Sequence, residues 1–171
     1  MMSPDRSPLP LVSLRVRTTS THGTRALAAA LAPSARPGDR LALVGPLGAG
    51  KTQFAKGFAV GLGIDDVVNS PSFTLMAEYE GRLTLFHQDL YRLAGADEVL
   101  AGGLLDERQD EGVTLSEWAD RLDGSLDPER LTVDIEPIAE QTRDIEISGH
   151  GEVAERYIEA ARQWQLAGEA A

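Results

Sequence analysis

Residues 45–52 read GPLGAGKT, with glycine at 45 and Gly50-Lys51-Thr52 closing the run. Each residue type in that spacing suits the binding of a phosphate chain. Glycines let the backbone curl so that successive N–H groups face one cluster of phosphate oxygens. A helix starting behind the loop would add the positive end of its dipole. Lys51 would bridge the outer phosphates, and the Thr52 hydroxyl would hold a magnesium ion. The chain has 17 glycines but only two lysines, so an accidental match is expected about 0.002 times.

Phosphate chemistry of this kind also needs a carboxylate at the end of a neighbouring strand, to hold Mg²⁺ directly or through water. Two acids have that placement. Asp89 follows an apolar run at 84–87, and Glu117 follows another at 113–116. In open α/β sheets, ligands sit at the carboxyl ends of strands.

These residues must be carried by elements that the sequence outlines. Leu14 and Val16 alternate with Arg15 and Arg17 as in a half-exposed strand, and Ser20 or Thr21 can cap a helix that ends before Pro33. Leu41-Ala42-Leu43-Val44 reads as a strand buried on both faces and leads straight into the glycine loop. Phe54, Phe58 and Leu62 then recur at helical spacing, with Gly61 and Gly63 as the stop. Phe73–Tyr79 and Leu83–His87 suggest a hairpin turning at Glu80-Gly81, and Ala94–Gln109 suggests short helices. Residues 131–135 and 145–147 alternate as late antiparallel strands, and Glu152–Leu166 as a closing amphipathic helix. With no internal repeat or low-complexity linker, the expectation is a loose tail over 1–10 and a single α/β domain over 11–171.

Composition removes whole classes of function. The absence of cysteine excludes disulfides, thiolate metal sites and a cysteine nucleophile, and three scattered histidines argue against a multi-histidine metal site. The net charge is −11. Residues 1–64 hold eight Lys/Arg and two Asp/Glu, a net of +6, and the remainder a net of −17. Such a chain repels phosphate backbones, so no strong direct binding of nucleic acid by the isolated chain is expected. No apolar run reaches the length of a membrane span, and MMSPDRSPLP lacks the apolar core of a secretory signal. The expected location is the cytoplasm.

Among proteins with this loop, a guanine reader would carry N-K-x-D, whereas the single asparagine, Asn69, precedes a serine. The L-S-G-G-Q signature of transporter ATPases is missing too, its nearest fragment being Ser148-Gly149-His150-Gly151. A stand-alone ATPase remains, beside a small-molecule kinase of the nucleoside or shikimate type and a nucleotide-gated scaffold that hydrolyses little. The acidic remainder of the chain disfavours a phosphorylated acceptor but not a neutral one.

Four blocks narrow the choice. GPLGAGKT, SPSFTL at 70–75, HQDLYRL at 87–93 and SEW at 116–118, in this order and spacing, resemble the TsaE (YjeE) family over about residues 14–150. These are small bacterial ATPases required for threonylcarbamoyladenosine formation on tRNA. The resemblance implies a P-loop fold with a mixed central sheet flanked by helices, ATP and Mg²⁺ as ligands, and TsaD and TsaB as partners. It places Leu47, Gly48, Ala49, Gly50, Lys51 and Thr52 on the phosphates, and Asp89 and Glu117 on the family's two essential acids. Glu117 is then the favoured magnesium ligand beside Thr52. Asp89 would act at the γ-phosphate or on the metal-bound water. Trp118 falls near the nucleotide, with Thr21 and Asp120 aligning there more loosely. Ser72 or Thr74 would sense the γ-phosphate in a switch-like segment. Three positions depart from the family pattern: Pro46 for an acid, Ser72 for threonine and Gln88 for an aromatic. His87 reads as a satisfied strand residue, and Trp118 also suits a core position.

Overall fold

The computed structural model describes residues 9–69, 76–90, 107–117 and 130–168. Among these residues seven strands form one mixed sheet: β1 (Leu11–Thr18), β2 (Arg40–Val44), β3 (Met76–Tyr79), β4 (Leu85–Asp89), β5 (Val113–Glu117), β6 (Leu131–Pro137) and β7 (Arg143–His150). Their spatial order is β1-β7-β6-β2-β5-β4-β3. The four central strands, β6, β2, β5 and β4, are parallel, so their carboxyl ends share one edge. Antiparallel strands close both flanks. Among the described residues three helices accompany the sheet: α1 (Thr21–Leu31), α2 (Lys51–Gly61) and α3 (Gly151–Leu166).

Alternation sorts the strand residues between the two faces. On one face lie Val16, Leu41, Leu43, Leu85, Leu115, Val133, Ile135, Ile145 and Ile147, all buried in one core with Leu27, Leu31, Phe54, Phe58 and Tyr157 from the helices. Burying a residue such as Leu115 or Ile147 contributes roughly 1.5–3 kcal/mol relative to leaving it in water. The exposed alternates of β1, Arg15 and Arg17, pair with Glu146 and Asp144 on β7. The half-exposed strand expected around Leu14–Arg17 is therefore found, at one edge of the sheet.

Local rules explain most boundaries. Ser20 is the N-cap of α1, its hydroxyl accepting from the Gly23 N–H at 2.9 Å, and the helix stops at Leu31 before Pro33. The hairpin loop is longer than Glu80-Gly81, because Arg82 leaves the strand line to donate to the Ala32 and Ala35 carbonyls behind α1. Strand β4 consequently starts at Leu85, and residues 73–75 lie outside the described residues. Of the expected helices over 94–109, residues 94–106 also lie outside them, and a short 3-10 turn spans Glu107–Glu111. At the start of β2, buried Asp39 accepts from Tyr157 at 2.7 Å and from two Arg156 nitrogens at 3.0 Å, tying α3 to the strand that feeds the glycine loop. Burial, reinforced by this bond to Asp39, pushes the Tyr157 phenol well above its ordinary range.

Gly61 plays a different part from a simple helix stop. A Cβ there would lie 2.5 Å from the Ala29 carbonyl oxygen, and one at Gly57 would overlap the Arg25 carbonyl. The two glycines thus let α1 and α2 touch backbone to backbone. Helix propensity alone makes Gly57→Ala favourable by about 1 kcal/mol. The overlap should win, with a net destabilisation of about 1–3 kcal/mol. A lowered urea midpoint would show it, and a raised midpoint would mean that the helices can part freely.

Candidate functional site

The loop between β2 and α2 is shaped by three glycines in the left-handed region: Gly45 at φ 148°, Gly48 at 80° and Gly50 at 111°. At Gly45 the requirement is also steric, because a Cβ would overlap the Ile135 carbonyl of β6. Gly50 is the N-cap of α2 and supplies no side chain to bond the first-turn N–H groups. Lys51 folds back under the loop, donating to the Gly45 carbonyl at 2.7 Å and to the Pro46 carbonyl at 2.9 Å, and is 5% exposed. Leu47 stands at the loop tip, 85% exposed, so only its backbone belongs to the curl.

Both candidate acids are the last residues of their strands and do not follow them, as the sequence pattern had suggested. Parallel pairing sets Asp89 beside Glu117 and His87 beside Leu115. Residues 85, 87 and 89 share the core-facing side of β4, as 113, 115 and 117 do on β5. The apolar line of each strand thus runs into the site, and turns polar at its end.

Glu117 is buried at 3% exposure, where an unpaired carboxylate would be strongly disfavoured. It has two partners. The Thr52 hydroxyl donates to Oε1 at 3.0 Å, and His87 Nε2 lies 2.6 Å from Oε2. Both side-chain oxygens of Glu117 are thus engaged, one by Thr52 and one by His87. His87 is wholly buried and its Nδ1 has no partner among the described residues. The satisfied strand residue expected at 87 is therefore satisfied at one nitrogen, and through Glu117. Asp89 is 6% exposed. Gln88 faces the other way, its carbonyl accepting from the Ser116 hydroxyl at 2.9 Å.

Beside the loop, Thr21, Thr24, Gly48, Ala49, Gly50, Gln53, Gln141 and Arg143 line a cavity of about 200 Å³. Arg143, at the start of β7, donates through Nε to the Ala49 carbonyl at 2.7 Å and reaches the Gly48 carbonyl at 3.4 Å. The sequence reading missed this arginine, because no local motif marks it. The structure does bring Thr21 to the loop. Trp118, Asp120, Ser72 and Thr74 lie outside the described residues.

The donor set suits a hard cation. Thr52, Glu117 and Asp89 offer oxygen, and no group of three or more metal-binding side chains converges among the described residues. The Thr52 hydroxyl and the Glu117 carboxylate, 3.0 Å apart, are oxygen donors of the type hard cations take.

Comparison with known proteins decides the family. The model of the family described as threonylcarbamoyl adenosine biosynthesis protein TsaE matches residues 18–145. The chain belongs to the TsaE family. It is 45% identical over 139 residues to the tRNA threonylcarbamoyladenosine biosynthesis protein TsaE of Bacillus subtilis, covering 81% of this chain and 87% of that one. The Treponema pallidum protein of the same name is 40% identical over 111 residues, 65% of this chain and 82% of that one. Among solved structures, Bacillus subtilis YdiB superposes with a TM-score of 0.71 at 38% identity, covering 91% of this chain and 98% of that one. The mixed-sheet α/β fold expected from the sequence is that of a TsaE relative, and membership implies an NTPase of the P-loop kind. Among the described residues no helix is long and apolar enough to cross a membrane.

Proposed function

We propose that the chain is an Mg²⁺-dependent ATPase that supports threonylcarbamoyladenosine modification of tRNA by binding and resetting a TsaD–TsaB complex in the cytoplasm. One observation carries the reading: Glu117, at the end of β5, is held at 3.0 Å against Thr52, which closes the GPLGAGKT run in the first turn of α2. A threonine hydroxyl and a strand-end carboxylate so joined are what a phosphate-loop enzyme uses around its magnesium ion.

The roles follow from position. The N–H groups of residues 47–52 would receive the phosphates, and Lys51, already beneath the loop, would turn its ammonium to the outer ones. Thr52 and Glu117 would hold Mg²⁺, which supplies charge neutralisation on the phosphates. Asp89, one strand over on the same face, would orient the attacking water or act at the γ-phosphate. The cavity lined by Thr21, Gln53, Gln141 and Arg143 offers polar groups for the nucleoside side of the ligand. Residues 70–74, with Ser72 and Thr74, would respond to the γ-phosphate, so that ATP favours one geometry toward the partners and hydrolysis releases it. The acidic remainder leaves tRNA to those partners.

Hydrolysis measured with and without TsaD–TsaB tests this. Turnover by the chain alone should be slow, and the partners should raise it by about tenfold or more, as expected when a second protein completes the site. Equal, fast turnover in both would sink the switching scheme, and ADP release that depends on an added metabolite would point to a kinase.

A further inference from the structure

The function proposed above uses Thr52, Asp89 and Glu117 but leaves His87 unexplained. Its position continues the core-facing line of β4 after Leu85, beside Leu115 on β5, where an apolar side chain would be the ordinary choice. The imidazole is instead fully buried, with one nitrogen 2.6 Å from Glu117 Oε2 and the other without a partner among the described residues. Of its two nitrogens only Nε2 has a partner among the described residues, so the ring's one polar contact there is with Glu117.

The two contacts on Glu117 differ in kind. Thr52 belongs to the ligand set itself, so its hydroxyl serves the cation as well as the carboxylate. His87 comes from the core, outside that set, and is anchored by the sheet. Glutamate has three side-chain torsions, and burial alone does not choose the face that its carboxylate presents. With Oε2 fixed by His87, Oε1 is turned to Thr52 at 3.0 Å.

We propose that His87 is a positioning residue that holds Glu117 in its cation-binding orientation before the cation arrives. The inference rests on the reading of Glu117 as a metal ligand. Supporting groups that orient a ligand in this way typically change metal affinity by about 10- to 100-fold.

The test is Mn²⁺ binding to the full chain in the presence of ADP, followed by electron paramagnetic resonance, with metal-free ADP binding measured alongside. His87→Leu should weaken Mn²⁺ by about 10- to 100-fold, with ADP binding changed much less. His87→Gln, whose terminal amide can reach where Nε2 stands, should restore affinity to within about threefold, whereas the shorter His87→Asn should not. Should the leucine variant fail to fold, the difference between Gln and Asn decides by itself. Wild-type Mn²⁺ affinity in His87→Leu, or equal affinity in Gln and Asn, would overturn the proposal, provided that Glu117→Gln does lose the ion. If Glu117→Gln binds Mn²⁺ normally, it is the assignment of Glu117 that fails, and the role of His87 falls with it.

Discussion

Replacing Glu117 by glutamine should lower ATP hydrolysis by about 10²–10³-fold or more while leaving the chain folded. The size follows from what the residue would do. It is the buried carboxylate against Thr52, and removing one preorganised electrostatic group from such a site typically costs about 2.7–4 kcal/mol of transition-state stabilisation. Folding should survive because glutamine keeps the volume. Its carbonyl can accept from His87 Nε2, and its amide can donate to the Thr52 hydroxyl, which can rotate to accept. Relief from a buried charge partly offsets the weaker bonds. Single-turnover hydrolysis in the assembled complex, beside a thermal melt, measures both halves. Intact hydrolysis in the glutamine variant would mean that Asp89 or another group holds the metal.

Lys51→Met should be more severe, abolishing detectable hydrolysis and weakening ATP binding by about 10- to 100-fold. A hydrogen bond to a charged group contributes about 1.5–3 kcal/mol, and Lys51 carries the one ammonium under the loop's curl. Methionine keeps the stem but leaves the Gly45 and Pro46 carbonyls without this charged donor. The loop therefore loses an internal brace as well as a phosphate contact. Equilibrium binding of a fluorescent ATP analogue separates the effect on affinity from that on chemistry. Unchanged affinity together with unchanged hydrolysis would exclude Lys51 from the site.

The phosphate loop could be read from the sequence because its information is contiguous: eight adjacent residues set both the backbone curl and the groups that it presents. Asp89 and Glu117 were legible at one remove, as acids closing apolar runs, although each proved to be the last residue inside its strand. What could not be read was everything that depends on which strands are neighbours. His87 meets Glu117, 30 positions away, only because β4 lies beside β5 in a register that sets Leu115 next to His87 and Glu117 next to Asp89. Arg143 reaches Ala49 across 94 positions, through a β7 whose alternation announced a strand but not its place in the sheet. Gly61 looked like punctuation at the end of a helix, and its contact with Ala29 appears only once α1 is laid against α2. Periodicity reports which face is apolar, and says nothing of what that face meets.

The reach of Arg143 has a further meaning. It springs from the first residue of β7, which lies between β1 and β6 on the opposite side of β2 from the two acid-bearing strands, and donates to the Ala49 carbonyl within the phosphate loop. Fraying of that strand's leading end would release the guanidinium and slacken the loop. A nucleotide seated in the loop would, by the same linkage, oppose the fraying. The leading end of β7 and the loop are therefore joined through one guanidinium, and a nucleotide in the loop is expected to raise hydrogen-exchange protection at that end of the strand.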